Sequence, residues 1–223
     1  FNSVCNAAKG KMALLNNNPA GYFMSAMVAG AFITLGGFVT FTLGSILTAA
    51  GCTITKVIMA FSFASALSLV VMAGAELFTG NNFVMAAASF KKEISWLDTL
   101  KLWVVCYLGN FVGAVILVAL FQLGGVPKGA TGEYFATIAA GKMGGTASAL
   151  FFKGMLCNML VCLAVWCCTK MKTESGKLIM IFWCIYIFMA CGFEHSIANM
   201  SVMAVGLLNG AGVEGVSIAG YFH

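Results

Sequence analysis

Apolar runs of about twenty residues and more, almost free of charge, recur along most of this chain. A run of that length wound as a helix crosses the roughly 30 Å hydrocarbon layer of a bilayer, where each backbone amide and carbonyl must find a partner inside the protein. Only 9% of the 223 residues are charged and 61% are hydrophobic, against roughly 25% charged in an ordinary soluble domain. A soluble globule is therefore excluded, and so is disorder, which requires low hydrophobicity. A closed membrane barrel would alternate apolar and polar residues over short segments, and these runs do not alternate. The fold class is an all-α integral membrane protein.

A polar stretch with Lys9, Lys11 and Asn16 to Asn18 ends at Pro19, a residue suited to the first turn of a helix. Spans are expected at about 20–47, 56–75, 97–123, 147–168 and 178–192, with shorter apolar resumptions at 83–90 and 200–208 and a Gly-rich loop over 124–145. The second and fifth spans carry the same interruption. Gly74-Ala75-Glu76 has Asn81 five residues after the Glu, and Gly192-Phe193-Glu194 has Asn199 five after. Recurrence in two halves predicts an inverted repeat of three plus three transmembrane helices with broken second and fifth helices, and such breaks mark a transport site. One channel domain, 1–223, is expected, with repeats at about 20–123 and 147–223. A partner for the third span would follow the loop around Gly210 to Gly215, so the sixth helix is expected to be largely absent from a sequence reaching only His223.

All 12 basic residues are lysine. Without the forked guanidinium that recognises phosphates and base edges, nucleic acid is not expected as a partner. The nine cysteines mostly lie in apolar runs, are odd in number and form no C-x-x-C pair, which fits small core residues. The chain opens on Phe1 with no basic-then-apolar signal segment, so a trimmed N-terminus is expected, with the spans directing insertion. With the N-terminus cytoplasmic, Lys9, Lys11, Lys91, Lys92, Lys101, Lys170, Lys172 and Lys177 lie inside and Lys56, Lys128 and Lys142 outside. That balance obeys the positive-inside rule.

Four ionisable side chains are then expected at membrane depth: Glu76, Lys153, Glu194 and His195. Charge there costs about 2.5 to 3.5 kcal/mol on insertion scales, so such residues face a bundle interior or a wet cavity. His195 is the foremost candidate, because imidazole alone exchanges a proton near neutrality at its ordinary pKa. Glu76 and Glu194 suit a structural role, accepting from amides freed at a helix break. Thr79 can donate its hydroxyl to a passing ion or to His195 across the repeats, or cap the resumed helix. Lys153 would either concentrate small anions or extend to the outer surface. Phe63, Leu67 and Phe188, close to the breaks, could form apolar constrictions. No metal cluster or cofactor motif is present.

The stretches GAELFTGN (74–81), FKGMLCN (152–158), GNFVGA (109–114) and CGFEHSIANM (191–200) resemble the formate/nitrite transporter family of formate, nitrite and hydrosulfide channels. The resemblance implies an aquaporin-like fold in a homopentamer of the inner (plasma) membrane, each protomer passing small monovalent anions. It implies His195 as the central pore residue, Thr79 in the loop of the first break and Asn158 beside it. It places Phe63, Phe188 and Val161 at the outer constriction and Leu67, Leu77 and Phe78 at the inner one, and makes Lys153 the vestibule lysine. Where members often carry a first-span lysine, this chain has Ser25. The mechanism expected is anion attraction by lysine, then proton sharing near His195.

Two rivals stand beside this reading. A pore for small neutral solutes would share the fold, yet the two Asn-Pro-Ala boxes are missing, the prolines being Pro19 and Pro127. An intramembrane enzyme would need a Ser-His-acid or metal arrangement, and the second histidine is the terminal His223.

Overall fold

The computed structural model describes residues 2–210 and 212–222, which form ten helices and no strand. They are α1 (Asn2–Asn17), α2 (Pro19–Ala49), α3 (Thr55–Met72), α4 (Phe78–Phe90), α5 (Trp96–Leu123), α6 (Ala130–Met143), α7 (Ala147–Lys170), α8 (Glu174–Ala190), α9 (Ser196–Asn209) and α10 (Ile218–Tyr221). Among these, α2, α3, α5 and α7 are long and apolar enough to cross a membrane. Local chemistry sets several starts. Asn18, Ser95, Thr146 and Thr173 each accept a backbone amide of the first turn they precede, and Pro19 opens α2.

Two helices lie where no element was expected. The polar lead forms α1, whose buried Val4, Cys5, Ala8, Met12 and Leu15 recur at three- and four-residue spacing and pack on α2 and α4. The Gly-rich loop contains α6, which buries Phe135, Ala136, Ala139 and Met143, largely against α9. Both are short helices with a single buried face, too polar for a hydropathy reading.

The mirrored breaks are built alike. After α3 the chain turns at Gly74 (φ 68°), with Ala75 N–H donating to Val70 O and Gly74 N–H to Val71 O. After α8 it turns at Gly192 (φ 71°), with Phe193 N–H donating to Phe188 O and Gly192 N–H to Met189 O. Both are Schellman ends, in which glycine takes the left-handed position at no steric cost. Three residues on, Leu77 and His195 occupy equivalent extended positions before α4 and α9. The central apolar cluster lies between the breaks, drawing on α3 and α8 with parts of α2, α7 and α9.

Candidate functional site

Each break gathers a lysine, a glutamate and an asparagine. Glu76 accepts from Lys11 Nζ at 2.7 and 2.8 Å and from Asn81 Nδ2 at 2.9 Å. Glu194 accepts from Lys142 Nζ at 2.5 Å and from Asn199 Nδ2 at 2.9 Å. Lys11 comes from α1 and Lys142 from α6, the two helices not foreseen; with Glu76, Glu194 and His195 they make five ionisable groups at the breaks, and Lys153 is not among them. The glutamates were expected to accept freed amides. At the first break two of those amides go elsewhere, Glu76 N–H to Ser25 O and Phe78 N–H to Asn110 Oδ1, and the donors found on the two carboxylates are lysine and asparagine side chains.

His195 is 5% exposed. Its Nδ1 accepts from Ala198 N–H at 3.1 Å, capping α9. A backbone N–H can only donate, so this bond assigns the lone pair to Nδ1 and the proton of the neutral ring to Nε2. Nε2 faces Thr79 Oγ1 at 3.3 Å. Asn158 Nδ2 donates to Thr79 O at 2.9 Å, and Asn82 Nδ2 to Asn158 Oδ1 at 3.3 Å. Thr79 is the second residue of α4, which is not capped by its side chain. Thr79, Asn158, His195 and Glu194 border one cavity of about 370 Å³. A neighbouring cavity of about 470 Å³ is lined by Lys142, Glu194 and Asn199, and one of about 180 Å³ by Lys11, Leu67, Leu77 and Asn81.

The six expected constriction residues meet in the central cluster. Phe63, Leu67, Leu77, Val161 and Phe188 are buried in it and Phe78 packs against it. Phe188 stacks on the His195 ring with centroids 5.8 Å apart and meets Phe63 edge-on at 5.9 Å. Lys153 is exposed on α7, while its neighbour Gly154 lines the cavities of the second break. The lysines that line the cavities are Lys11 and Lys142, which the charge count had placed in a cytoplasmic and an outer segment. A signal for them was present in the repeat, since each lysine precedes its long apolar span by a few residues. Among the described residues, no group of three or more His, Cys, Asp or Glu is arranged to hold a metal ion.

The model of the formate/nitrite transporter family matches residues 1–223. Nitrite transporter NirC of Escherichia coli (strain K12) is 38% identical over 228 residues, covering 98% of this chain and 81% of that protein. Formate channel FocA of Haemophilus influenzae is 35% identical over 197 residues, covering 86% of this chain and 69% of its own length. Among solved structures, an FNT family ion channel superposes with a TM-score of 0.92 at 35% identity, over 100% of this chain and 88% of the other. A pentameric formate channel with formate bound gives 0.74 at 27% identity, over 91% and 78%.

Proposed function

We propose, from the premise that this chain belongs to the formate/nitrite transporter family, that it is a multi-pass membrane channel passing small monovalent anions between two cavities and past His195. The observation carrying this reading is the buried contact of Thr79 with His195, which joins the two breaks beside Phe188 of the central apolar cluster. Formate and nitrite as substrates are supported by the names of NirC and FocA, and hydrosulfide by equal charge and similar size. A homopentamer is supported by the pentameric formate channel of similar fold. A cytoplasmic N-terminus in the inner (plasma) membrane is supported by the lysine balance. One channel domain of two repeats accords with a family model matched from end to end. The chain is not an enzyme, its named relatives being transporters and channels.

Physically, a bare anion cannot cross the Phe63–Phe188 and Leu67–Leu77 regions, since burying an unpaired charge costs far more than burying a neutral acid. Lys11 and Lys142 are each matched by a glutamate, so they offer an anion N–H donors without a net local charge. Lys153, exposed on α7, adds only a screened field. At the centre, the Nε2–H of His195 and the Thr79 hydroxyl can donate to the anion. Because Nδ1 is engaged by Ala198, the neutralising proton comes from water rather than from the resting ring.

Flux of formate, nitrite and hydrosulfide into proteoliposomes across a pH series tests this, with glycerol swelling as the neutral-solute control. Saturable anion flux that rises as pH falls, and is lost in His195→Phe, is the expected result. Glycerol passage without anion flux would favour the neutral-solute pore.

A further inference from the structure

The Gly109–Gly113 stretch of α5 is not accounted for by the pore residues. Gly109 and Gly113 stand four apart on α5 and pack on Ala26 and Met27 of α2, while Gly30, four residues after Ala26, packs on Asn110. A Cβ at Gly30 would collide with the Asn110 backbone, and one at Gly113 with the Met27 backbone, so the two helices touch main chain to main chain. Asn110 sits in this seam with no solvent exposure. Its Nδ2 donates to Ala26 O at 2.7 Å and to Glu76 O at 2.9 Å, and its Oδ1 accepts from Phe78 N–H at 2.9 Å.

One carboxamide therefore ties α2 to both sides of Leu77, where α4 begins. The second break needs no such tie, since His195 caps α9 itself, whereas Leu77 has no side chain that can cap α4. The residue type is dictated by the bonds. Two donors and one acceptor in a short planar group describe asparagine; aspartate lacks the donors, and glutamine adds a methylene to a seam packed on glycine. Cys106 Sγ also reaches Glu76 O, at 3.2 Å, but does not hold Phe78.

We propose that Asn110 is a positioning residue of the pore: by pinning the Glu76–Phe78 turn to α2 it sets where Thr79 meets His195. This rests on the reading of Thr79 and His195 as the anion's contacts.

The test is a double-mutant cycle in proteoliposomes, with formate and acetate as probes and Asn110→Ala and Thr79→Val singly and together. Asn110→Ala is expected to lower formate flux about tenfold and to raise the acetate-to-formate ratio, because small misplacements of contact groups are costly. In the Thr79→Val background the same change should alter formate flux by less than about twofold, since residues acting as one unit are not additive. Should the alanine variant not assemble, Asn110→Asp keeps the size and the bond from Phe78 and takes its place in the cycle. Formate flux within about twofold of the parent, or an Asn110 factor multiplying in full onto Thr79→Val, overturns the proposal. A silent Thr79→Val instead removes the pore reading on which the proposal stands, and is recognised from that single variant.

Discussion

His195 Nε2 lies 3.3 Å from Thr79 Oγ1 across 116 residues of sequence, and the two side chains belong to different repeats. The backbones that present them are near copies, yet their chemistry is not symmetric. His195 occupies the position that Leu77 holds in the other break. A two-fold scaffold thus carries a single imidazole, opposed by a hydroxyl rather than by a second ring.

His195 has two separable tasks, capping α9 through Nδ1 and donating through Nε2. His195→Asn keeps a capping oxygen, and His195→Phe keeps neither. Thermal unfolding should show the phenylalanine variant about 1 kcal/mol less stable than the asparagine variant, while both lose most anion flux. Equal flux in the asparagine variant and the parent would remove the Nε2 role.

The Lys11–Glu76 pair is largely buried, with side chains 21% and 8% exposed. Removing one partner leaves an uncompensated charge, so Glu76→Gln should cost about 3 kcal/mol. Lys11→Met combined with Glu76→Gln should recover much of that loss. If the double variant were as unstable as the sum of the two singles, the ion pair would not be the source.

At the second break, Lys142 lines a cavity and Lys153 stands outside it. Lys142→Gln should reduce anion flux at sub-saturating substrate about tenfold, as expected when a charged hydrogen-bond donor is lost, and Lys153→Gln less than about twofold. The reverse order would return the vestibule role to Lys153.

Docking of α1 should depend on pH through Lys9 and Glu93, which pair at 2.9 Å outside the spans. The hydrogen bond from Lys9 holds the Glu93 carboxyl below its ordinary 4.5, and the bond to Glu93 holds Lys9 above its ordinary 10.5. A depressed carboxyl contributes fully above its ordinary value and loses that contribution as pH falls through the depressed one. A raised amine contributes fully below its ordinary value and loses it as pH rises through the raised one. A spin label at position 6 of α1 should therefore be least mobile between these limits and freer beyond either, with Glu93→Gln flattening the profile. Both groups are exposed, so salt should weaken the effect. Label mobility unchanged on both the acid and the alkaline side of neutrality, and no different in Glu93→Gln, would discount the pair.

Much of the site was legible because its signals are local. The Gly-x-Glu breaks, Asn81 and Asn199, and the lone histidine at a membrane-depth break are visible as departures from apolar runs. Lys11 and Lys142 were not, because both stand in polar stretches and their partners lie 65 and 52 residues away. Asn110 was visible only as part of a motif, since nothing near it in the chain marks which carbonyls it reaches.

The amino-acid order alone determined the membrane class, the repeat and the position of each kink, because hydrocarbon demands apolar length and a Schellman turn asks for glycine at one residue. Tertiary structure decided which lysine answers which glutamate and that His195 meets Thr79. It also decided that Asn110 reaches the turn between α3 and α4. Those partners come from helices far apart in the chain, and only the close approach permitted by small residues along the α2–α5 seam brings Asn110 to that turn.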